Sequence, residues 1–542
     1  MMSNRYRQNV DSFIPFVKLT PFIALREKWR EGYTFGDFKA DAMSGMVVAM
    51  VAIPLGMALA IASGVPPQYG LYTVIIGGAV VALLGGSRFQ VSGPTAAFVV
   101  ILAPIAHKFG LGGLLVAGLM AGIMLLAMGL ARMGRLIQFI PYPVTTGFTA
   151  GIAVVIGTLQ LKDFFGLKVQ EMPERFYEKV VALFHASPTA SLTEFSIGAA
   201  TLIILIVWPK INKKIPAPLV ALTIVSVVAA WIKSKFPSLD ISTIGNRFTF
   251  EVHGVVGHGI PQALPHLDWP WRYLATGEEP FLITLESIES LMPAAFAIAM
   301  LGAIESLLSA VVADGMAQTK HDPDTELVAL GVGNILCPFF GGIAATGAIA
   351  RTATNIRYGA RSPLSAVLHA LFSLIVILLL APLVAYLPMA CLAALLMLVA
   401  YNMSELKHFF HILRVAPKSD VVVLLICFTL TVMFDMVVGV TVGVVLASLL
   451  FMRRMASISS AQVFTVDNHP YLEIKLPKEI LLYEIAGPLF FGAAENAAEA
   501  VGDIADNIKA VIFSLRDVPA MDMTGLVALE SAINKLTSRH CL

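Results

Sequence analysis

The sequence predicts an all-α polytopic membrane protein followed by a small α/β domain, on three observations. Of the 542 residues, 57% are hydrophobic and only 13% are charged, and the mean hydropathy is +0.80, which is typical of polytopic membrane proteins. Apolar runs long enough to cross a bilayer recur from Met43 to Phe451. From about Tyr471 the pattern changes to alternating strand-like and helix-like stretches, which indicates an α/β domain.

The apolar runs divide into fourteen predicted membrane segments, seven within residues 41–232 and seven within residues 286–455. A spanning helix needs about 20 apolar residues, and turn formers or charges mark the connections between spans. Between the two halves, Ile232–Leu285 is polar and aromatic, and we expect an ordered external loop there. The amphipathic stretch Leu161–Pro188 is expected to lie in the membrane interface or to form a short gate helix.

The basic residues predict the orientation in the membrane. An even number of segments puts both termini on one side, and cytoplasmic connections carry an excess of Lys and Arg. The opposite short connections hold little beyond Lys108. We therefore predict a cytoplasmic N-terminal region (1–40), a transmembrane transport domain (41–455) and a cytoplasmic C-terminal domain (456–542). The basic residues on the side of the basic leader are Arg88, Arg132, Arg135, Lys210, Lys213, Lys214, Lys320, Arg357, Arg361, Lys407, Arg414, Lys418, Arg453 and Arg454.

Composition and motifs exclude several function classes. The net charge of +1 gives no indication of a nucleic-acid partner, and the four cysteines form no CxxC pair, so neither a zinc site nor a disulfide framework is expected. The chain shows no nucleophile elbow, Walker loop or paired catalytic acids in a soluble context. We therefore expect neither an enzyme nor a resident cofactor or metal. Residues 1–40 also lack the short apolar core of a cleaved signal peptide.

The stretch Gly341–Asn355 is too polar and glycine-rich to be an ordinary spanning helix. Broken backbone survives at membrane depth only where protein or a water-filled cavity surrounds it. The stretch has an echo at Val91–Phe98, where a hydroxyl residue and a glycine again precede small residues that open a helix. Both occupy the third place in their set of seven, and interrupted segments at corresponding positions of inverted halves indicate a transporter site.

Two half-helix N-termini that meet would supply free N–H groups and partial positive charge, which suit an anion. The alternative is that glycine and alanine only let the helices pack closely in lipid. We therefore predict two inverted repeats of seven segments, with an anion site where the two broken segments meet.

Two charged residues fall inside this predicted membrane region. Arg351 lies about one turn into the second half-helix, where an arginine costs at least about 2.5 kcal/mol, so it needs a partner. It either completes the anion site, pairs with a carboxylate, or lies nearer the cytoplasmic surface. Glu305 stands in the middle of the eighth apolar run, and burial disfavours the charged form of a carboxylate. We therefore predict Glu305 as the proton-coupling group, with a static salt bridge to Arg351 as the alternative; Ser309 shares its helix face.

In the C-terminal domain, strands are predicted at Tyr471–Lys475, Ile480–Ala486 and Ala510–Leu515, and helices at Ala493–Ala505 and Met523–Leu536. Thr524 then lies at a helix N-terminus, where a phosphate could be accommodated, so it is a candidate regulatory residue. The simpler interpretation is that Asp522 or Thr524 caps the helix.

Several motifs together resemble the SulP anion transporters, relatives of the animal proteins pendrin and prestin. The resemblance covers essentially the whole chain, and within the family it is closest to a proteobacterial C4-dicarboxylate transporter. The motifs are Ile53–Ala60 (IPLGMALA), Val65–Thr73 (VPPQYGLYT), Ser92–Thr95 (SGPT) and Ala350–Asn355 (ARTATN).

The resemblance implies a seven-plus-seven inverted-repeat fold like that of the uracil permease, with a core domain that moves against a gate domain in an elevator-like cycle. It also implies a cytoplasmic STAS domain, which here is apparently incomplete, and a homodimer in the bacterial inner membrane. The anion is expected between the third and tenth segments, lined by the first and eighth. The substrate-binding residues carried over are Leu55, Leu59, Gly93, Pro94, Thr95, Ala96, Ala97, Gly347, Ala348, Ile349, Ala350, Arg351 and Thr352, beside Glu305.

Two departures from the family pattern bear on the substrate and the coupling ion. Many sulfate-type members carry a glutamine and an aromatic residue where this chain has Leu55 and Leu59, and serines where it has Ala348 and Ala350. This loss of polar donors favours a substrate with a carbon skeleton over a strongly hydrated oxyanion. Sodium-coupled bicarbonate members typically have aspartate at the position of Glu305, which favours protons over sodium here.

The sequence therefore predicts a multi-pass secondary transporter that imports anions with protons. The preferred substrates are C4-dicarboxylates such as succinate, fumarate or aspartate, and the alternatives are sulfate and bicarbonate. An alternative hypothesis, from another class of protein, is a membrane scaffold or sensor that recruits cytosolic protein partners through the STAS domain. The expected partners otherwise are a small anion and the lipid bilayer.

Overall fold

The computed structural model describes residues 22–135, 140–169, 172–173, 175–212, 215–252, 255–274, 280–434, 436–458, 460–464, 477, 479–489, 508–538 and 541. The chain divides into two compact units, one made of Met1–Ala416 with Leu424–Val440 and the other of Pro417–Val423 with Thr441–Leu542. The two units are described separately below.

The first half of the membrane region is helical, with one short strand where the third segment is broken. Its elements are α1 (Ile23–Glu31), α2 (Phe35–Ala62), α3 (Pro67–Tyr72), α4 (Gly78–Leu84), β1 (Ser92–Gly93), α5 (Ala96–Leu130), α6 (Tyr142–Phe164), α7 (Phe176–Ala186), α8 (Leu192–Ile211) and α9 (Ala217–Lys235). A single π turn, Thr73–Gly77, joins α3 to α4.

The second half repeats this plan after a loop that holds α10 (Ile244–Arg247) and a hairpin of β2 (Thr249–Val252) and β3 (Val255–His258). Its elements are α11 (Leu285–Ala317), α12 (Pro323–Phe339), β4 (Thr346–Gly347), α13 (Ile349–Arg357), α14 (Leu364–Val384), α15 (Met389–Met403), α16 (Leu406–Val415), α17 (Lys418–Met433) and α18 (Met436–Ile458).

Ten helical stretches among the described residues are long and apolar enough to cross a membrane. One of them, α5, holds two predicted segments, because Gly110 has a left-handed φ of 66° that breaks the helix direction. The short helices α12, α13 and α17 supply the remaining segments, so the described residues account for the fourteen predicted from hydropathy. These three helices have 17, 9 and 16 residues, so each is shorter than the ten long apolar stretches.

The membrane helices pack against one another mainly in the following pairs. Helix α5 packs against α11 and α12, and α2 against α14, while α15 packs against α6 and α8. Glycines permit the closest approaches: a Cβ added to Gly45 on α2 would lie 2.6 Å from the carbonyl oxygen of Ser365. Small residues thus let the membrane helices meet backbone to backbone.

The described part of the loop between the halves is held by hydrogen bonds and ring contacts. The amide of Asp268 donates to the carbonyl of Phe339 at 2.7 Å, and that of Gly112 donates to Leu274 at 3.0 Å. Trp269 stacks on Trp271 with ring centroids 4.9 Å apart. The predicted external location of this loop stays a prediction.

Besides the start of α17 and most of α18, the second unit contains a three-stranded sheet and one further helix among its described residues. Strand β6 (Ile480–Ala486) pairs antiparallel with β5 (Ser460–Phe464) and parallel with β7 (Ala510–Asp517), and α19 spans Met523–Ser538. Tyr483, Ile485, Leu489, Ala532 and Leu536 form its core.

This outcome confirms the predicted strands at 480–486 and 510–515 and the predicted helix at 523–536. Strand β5 was not predicted. The strand predicted at Tyr471–Lys475 and the helix predicted at Ala493–Ala505 lie outside the described residues.

Candidate functional site

The two broken stretches meet at the centre of the first unit. Strands β1 and β4 pair antiparallel, with Ser92 opposite Gly347 and Gly93 opposite Thr346. The amide of Ala348 extends the ladder by donating to the carbonyl of Val91 at 2.9 Å. The two similar stretches of sequence therefore form a pair of antiparallel strands, and each strand is followed by a helix. We call this pair, Ser92–Gly93 with Thr346–Gly347, the crossing.

Both helices begin beside this crossing. Thr95 before α5 and Ala348 before α13 have extended backbone, and neither makes a side-chain capping hydrogen bond. The first N–H groups of a helix have no partner within the helix, so both termini present free donors and partial positive charge. The crossing brings two such ends together.

Arg351 is buried beneath the crossing, with 2% of its surface exposed. Its Nη2 donates to the carbonyl oxygen of Pro94, while Nε and Nη1 have no hydrogen-bond partner among the described residues. A Cβ added to Gly93 would lie 2.6 Å from Nη1, so only glycine leaves room for the guanidinium there. The arginine contributes a buried positive charge that protein hydrogen bonds satisfy only in part.

Glu305 lies on α11 at the edge of the same site and is partly exposed. Its Oε2 accepts a hydrogen bond of 2.7 Å from the hydroxyl of Thr95, the residue that precedes α5. Among the described ion pairs none joins Glu305 to Arg351. The static salt bridge weighed as an alternative is therefore absent, because each side chain has turned to the loop before α5 instead.

The other predicted residues lie at different depths around the crossing. Ala96 and Ala97 are buried, whereas Ile349 is 43% exposed and Ala350 is also exposed. Leu59 is 1% exposed within α2. Leu55, one turn earlier, is partly buried and packs against a cluster of α8, α9 and α15 residues that includes Leu205, Leu222 and Leu395.

Thr352 ties the crossing to two neighbouring elements. Its hydroxyl oxygen accepts hydrogen bonds from the amide of Val91 at 3.0 Å and from the hydroxyl of Ser309 at 3.1 Å. Ser309, expected on the face of Glu305, therefore joins α11 to α13. Three residues later on α13, Asn355 donates to the carbonyl of Phe89 at 2.9 Å.

Sequence reasoning missed a buried network on the other side of the crossing. The Gln90 amide nitrogen donates to Ser306 at 2.7 Å and to Glu326 at 2.8 Å. The other carboxylate oxygen of Glu326 accepts from the amides of Gly86 and Ser87, at 2.9 and 3.1 Å. This Gln90–Glu326 network holds the loop that leads into β1.

Glycine at position 347 lets that network approach the strand. A Cβ added to Gly347 would lie 2.4 Å from Nε2 of Gln90 and 3.0 Å from Cα of Ser306. Two residues before Gly347, the amide and the carbonyl of Ala345 each form a hydrogen bond of 2.8 Å with the side chain of Asn334 on α12. The only sequence signal for these contacts is a polar side chain inside an apolar run, and it does not name a partner.

In the second unit, Asp522 caps α19, since its Oδ1 accepts from the amide of Gly525 at 2.7 Å. Thr524 is exposed in the first turn of that helix. The capping interpretation is thus confirmed for Asp522. Within the described residues, no group of three or more His, Cys, Asp or Glu side chains could hold a metal ion.

A bundle of membrane-spanning helices in which two broken segments cross beside buried charges is the architecture of a multi-pass membrane transporter. Comparison with protein families identifies which one. Residues 38–427 match the sulfate permease family, and residues 471–541 match the STAS domain. The chain therefore belongs to the sulfate permease family of anion transporters, and its members are transporters rather than enzymes.

Curated relatives span nearly the whole chain. A putative sulfate transporter of Bacillus subtilis (strain 168), YvdB, is 41% identical over 511 residues, which covers 94% of this chain and 91% of that protein. The bicarbonate transporter BicA of a Picosynechococcus species is 30% identical over 534 residues, which covers 93% and 88%.

Solved structures share the fold. The transmembrane domain of a cyanobacterial bicarbonate transporter BicA matches with a TM-score of 0.62 at 27% identity, over 77% of this chain and 98% of that chain. The overall structure of SLC26A9 matches with a TM-score of 0.80 at 17% identity, over 100% of this chain and 88% of that chain, which is a likeness of fold.

Proposed function

We propose that this protein is a secondary active transporter that imports a small anion together with a proton, and that the anion binds at the crossing of β1 and β4. The observation that carries the proposal is the placement of two helix N-termini and the buried Arg351 around one point. Free N–H groups and a fixed cation both attract negative charge there.

In this proposal Arg351 acts through its charge rather than by direct contact. Its guanidinium lies against Gly93, and its Nη2 donates to the carbonyl of Pro94, so protein backbone already occupies part of it. Burial of a cation is costly, and a nearby anion offsets part of that cost. The buried charge therefore favours anion entry.

Glu305 supplies the coupling group in this proposal. An anion at the crossing would lie near its carboxyl group, which Thr95 of the same helix start contacts. A charged carboxylate repels the anion, whereas the protonated acid does not. Binding of the proton and binding of the anion therefore favour each other, and this reciprocal linkage is what symport requires.

For the substrate we propose a dianion, with C4-dicarboxylates such as succinate, fumarate or aspartate as the first candidates. Ala348, Ile349 and Ala350 place apolar side chains at the start of α13, which suit a carbon skeleton between two carboxylates. The named relatives favour the second candidates, since one is called a putative sulfate transporter and another a bicarbonate transporter.

The remaining features of the proposal concern the whole molecule. We place the transport domain at residues 41–455 and the STAS domain at residues 456–542, with both termini in the cytoplasm of a bacterium and the membrane domain in the inner membrane. The core would move against the gate helices in an elevator-like cycle, within a homodimer. Recruitment of cytosolic partners by the STAS domain, with Thr524 as a regulatory residue, would accompany transport rather than replace it.

Counterflow in proteoliposomes tests the proposal and separates the candidates. Purified full-length protein is reconstituted into proteoliposomes that are loaded with one unlabelled anion. Labelled succinate, sulfate or bicarbonate is then added outside. We expect saturable exchange of succinate that excess unlabelled succinate abolishes. Exchange of sulfate or bicarbonate alone would replace the first candidate with the second, and the absence of exchange of all three would contradict the proposed function.

A further inference from the structure

A cavity with a mainly apolar lining and several polar side chains lies where α9 and α14 end beside the loop between the two halves. Its volume is about 630 Å³, which is large enough for a small-molecule group. Polar side chains line it from four parts of the chain: Lys233 from α9, Thr243 and Asn246 from the start of the loop, His258 from the hairpin and Tyr386 from the end of α14. The proposed transport function uses none of them.

The lining suits an anionic group. Lys233 is half-buried and makes no ion pair with any described residue. Thr243, Asn246 and Tyr386 add neutral hydrogen-bond donors, and no Asp or Glu belongs to the lining. A cation with neutral donors and no competing carboxylate is the arrangement that binds a phosphate.

The backbone of the loop is folded closely against α14 at this cavity. Gly259 has a left-handed φ of 94°, and a Cβ there would lie 2.9 Å from the Cβ of Ala385. The amide of Gly245 donates to the carbonyl of Ala385 at 2.9 Å. The wall of the cavity is therefore fixed by main-chain contacts.

The position of the cavity points to the bilayer as the source of its occupant. Lys233 lies in the last turn of one spanning helix, and Tyr386 directly follows another. Trp231 and Tyr386 are 61% and 60% exposed, and exposed Trp and Tyr mark the level of lipid headgroups in membrane proteins. The amine of a lysine at a helix end also reaches towards that level.

The outer faces of the same two helices are apolar below this level. Val227 on α9 is 63% exposed, and Leu379 and Leu383 on α14 are 68% and 65% exposed. In a membrane these side chains contact acyl chains. A molecule with a phosphate in the cavity and two acyl chains along these helices would satisfy both surfaces.

We propose that this cavity binds the headgroup of an anionic glycerophospholipid, with the phosphate at Lys233 and the acyl chains along α9 and α14. The bound lipid joins the start and the hairpin of the loop to the ends of two membrane helices. The proposal does not depend on which anion the protein transports.

Native mass spectrometry of the delipidated full-length protein tests it, with phosphatidylglycerol as the probe. Phosphatidylcholine, which is zwitterionic with no net charge, serves as the lipid control, and glycerol phosphate serves as the soluble control. The variants are Lys233→Ala and the matched control Lys235→Ala, which removes an exposed lysine from the same helix turn that does not line the cavity.

We expect Lys233→Ala to weaken phosphatidylglycerol binding at least fivefold, and Lys235→Ala to leave it unchanged. Phosphatidylcholine should bind more weakly than phosphatidylglycerol to the wild type. Equal binding of phosphatidylglycerol by the wild type and Lys233→Ala would overturn the proposal. Displacement of the lipid by glycerol phosphate at similar concentration would overturn the bilayer as the source.

If Lys233→Ala does not fold, crosslinking of a photoactivatable phosphatidylglycerol to the wild-type protein tests the site instead. Crosslinks to peptides that contain Ala229–Lys233 or Ala385–Tyr386 would support the site. Crosslinks confined to other surfaces would overturn it.

Discussion

Two glutamates on neighbouring helices differ in how the protein satisfies them. Glu326 on α12 is 1% exposed and accepts hydrogen bonds from the amides of Gly86 and Ser87 and from Gln90. Glu305 on α11 is partly exposed, and one hydroxyl, that of Thr95, contacts it. Both oxygens of Glu326 are thus satisfied by protein donors, whereas Glu305 keeps capacity for another partner.

In the proposed function, this difference separates a structural carboxylate, Glu326, from the proton-coupling carboxylate, Glu305. Three donors that point at fixed positions hold a carboxylate in place and make its loss costly. A carboxyl group with one donor and an opening to the site can exchange a proton and sense an anion. Burial and charge alone therefore do not distinguish these two glutamates, whereas the number of donors does.

The largest expected effect is on stability. Glu326→Ala leaves three donors without an acceptor inside the protein, and we expect the free energy of unfolding to fall by about 3 kcal/mol or more. Glu305→Ala removes the partner of one partly exposed hydroxyl, so a loss of about 1 kcal/mol is expected. Thermal unfolding of the purified proteins in one detergent measures both.

The ratio between these two losses is the informative quantity. Gln318→Ala, an exposed change at the end of α11, serves as a control for the effect of mutation on purification. Equal destabilisation by Glu326→Ala and Glu305→Ala would break the distinction between the two glutamates.

The next largest effect is on transport, and it concerns the position of the Arg351 guanidinium beside Gly93. Gly93→Ala places a Cβ 2.6 Å from Nη1 of Arg351, so the guanidinium must shift. We expect anion uptake to fall at least about tenfold, which corresponds to about 1.4 kcal/mol of lost binding free energy. Uptake by protein-matched proteoliposomes measures it.

The matched control is Gly315→Ala on α11, where an added Cβ meets nothing within 4 Å. This variant should transport like the wild type. Normal uptake by Gly93→Ala would show that the position of the guanidinium does not matter for transport.

A third carboxylate, Glu31, is fully exposed and should give the smallest effect. Arg88, in the loop before β1, donates to both oxygens of Glu31, one of them at 2.8 Å. This hydrogen bond is the main cause that lowers the pKa of Glu31 below its ordinary value of 4.5. Because the folded-state pKa is lower, the stabilising contribution is present above the unfolded-state pKa and is lost as the pH falls through the folded-state value.

Hydrogen exchange of α1 measures this contribution. We expect faster exchange of Ile23–Glu31 when the pH falls well below 4.5, the ordinary pKa of this carboxyl group, after correction for the intrinsic exchange rate, and no such step in Arg88→Gln. An identical pH response of the two proteins would mean that Arg88 does not hold α1.

The sequence predicted the spans and the crossing because hydropathy and internal symmetry are local signals. The echo of Val91–Phe98 in Gly341–Asn355 led to the strand pair that the structure contains. Arg351 and Glu305 were found because isolated charges stand out in apolar runs. Their separate hydrogen bonds to Pro94 and Thr95 could not be predicted, since they depend on how two halves of the chain pack.

The Gln90–Glu326 network shows why the rest was missed. Glu326 follows Asp322, Pro323 and Asp324, a pattern typical of the polar first turn of an exposed helix. Its partners Gly86, Ser87 and Gln90 lie more than two hundred residues earlier in the chain. Nothing local in the sequence indicates that this helix start is buried by the loop before β1.

Uptake by Glu305→Gln proteoliposomes tests the central claim most directly, with Glu326→Gln measured beside it. An imposed inward proton gradient should drive accumulation of the transported anion by the wild type. Glu305→Gln should retain counterflow exchange and lose this accumulation, because an amide keeps the contact with Thr95 but cannot carry a proton. Accumulation by Glu305→Gln at the wild-type level, with an unaltered pH response, would contradict the account.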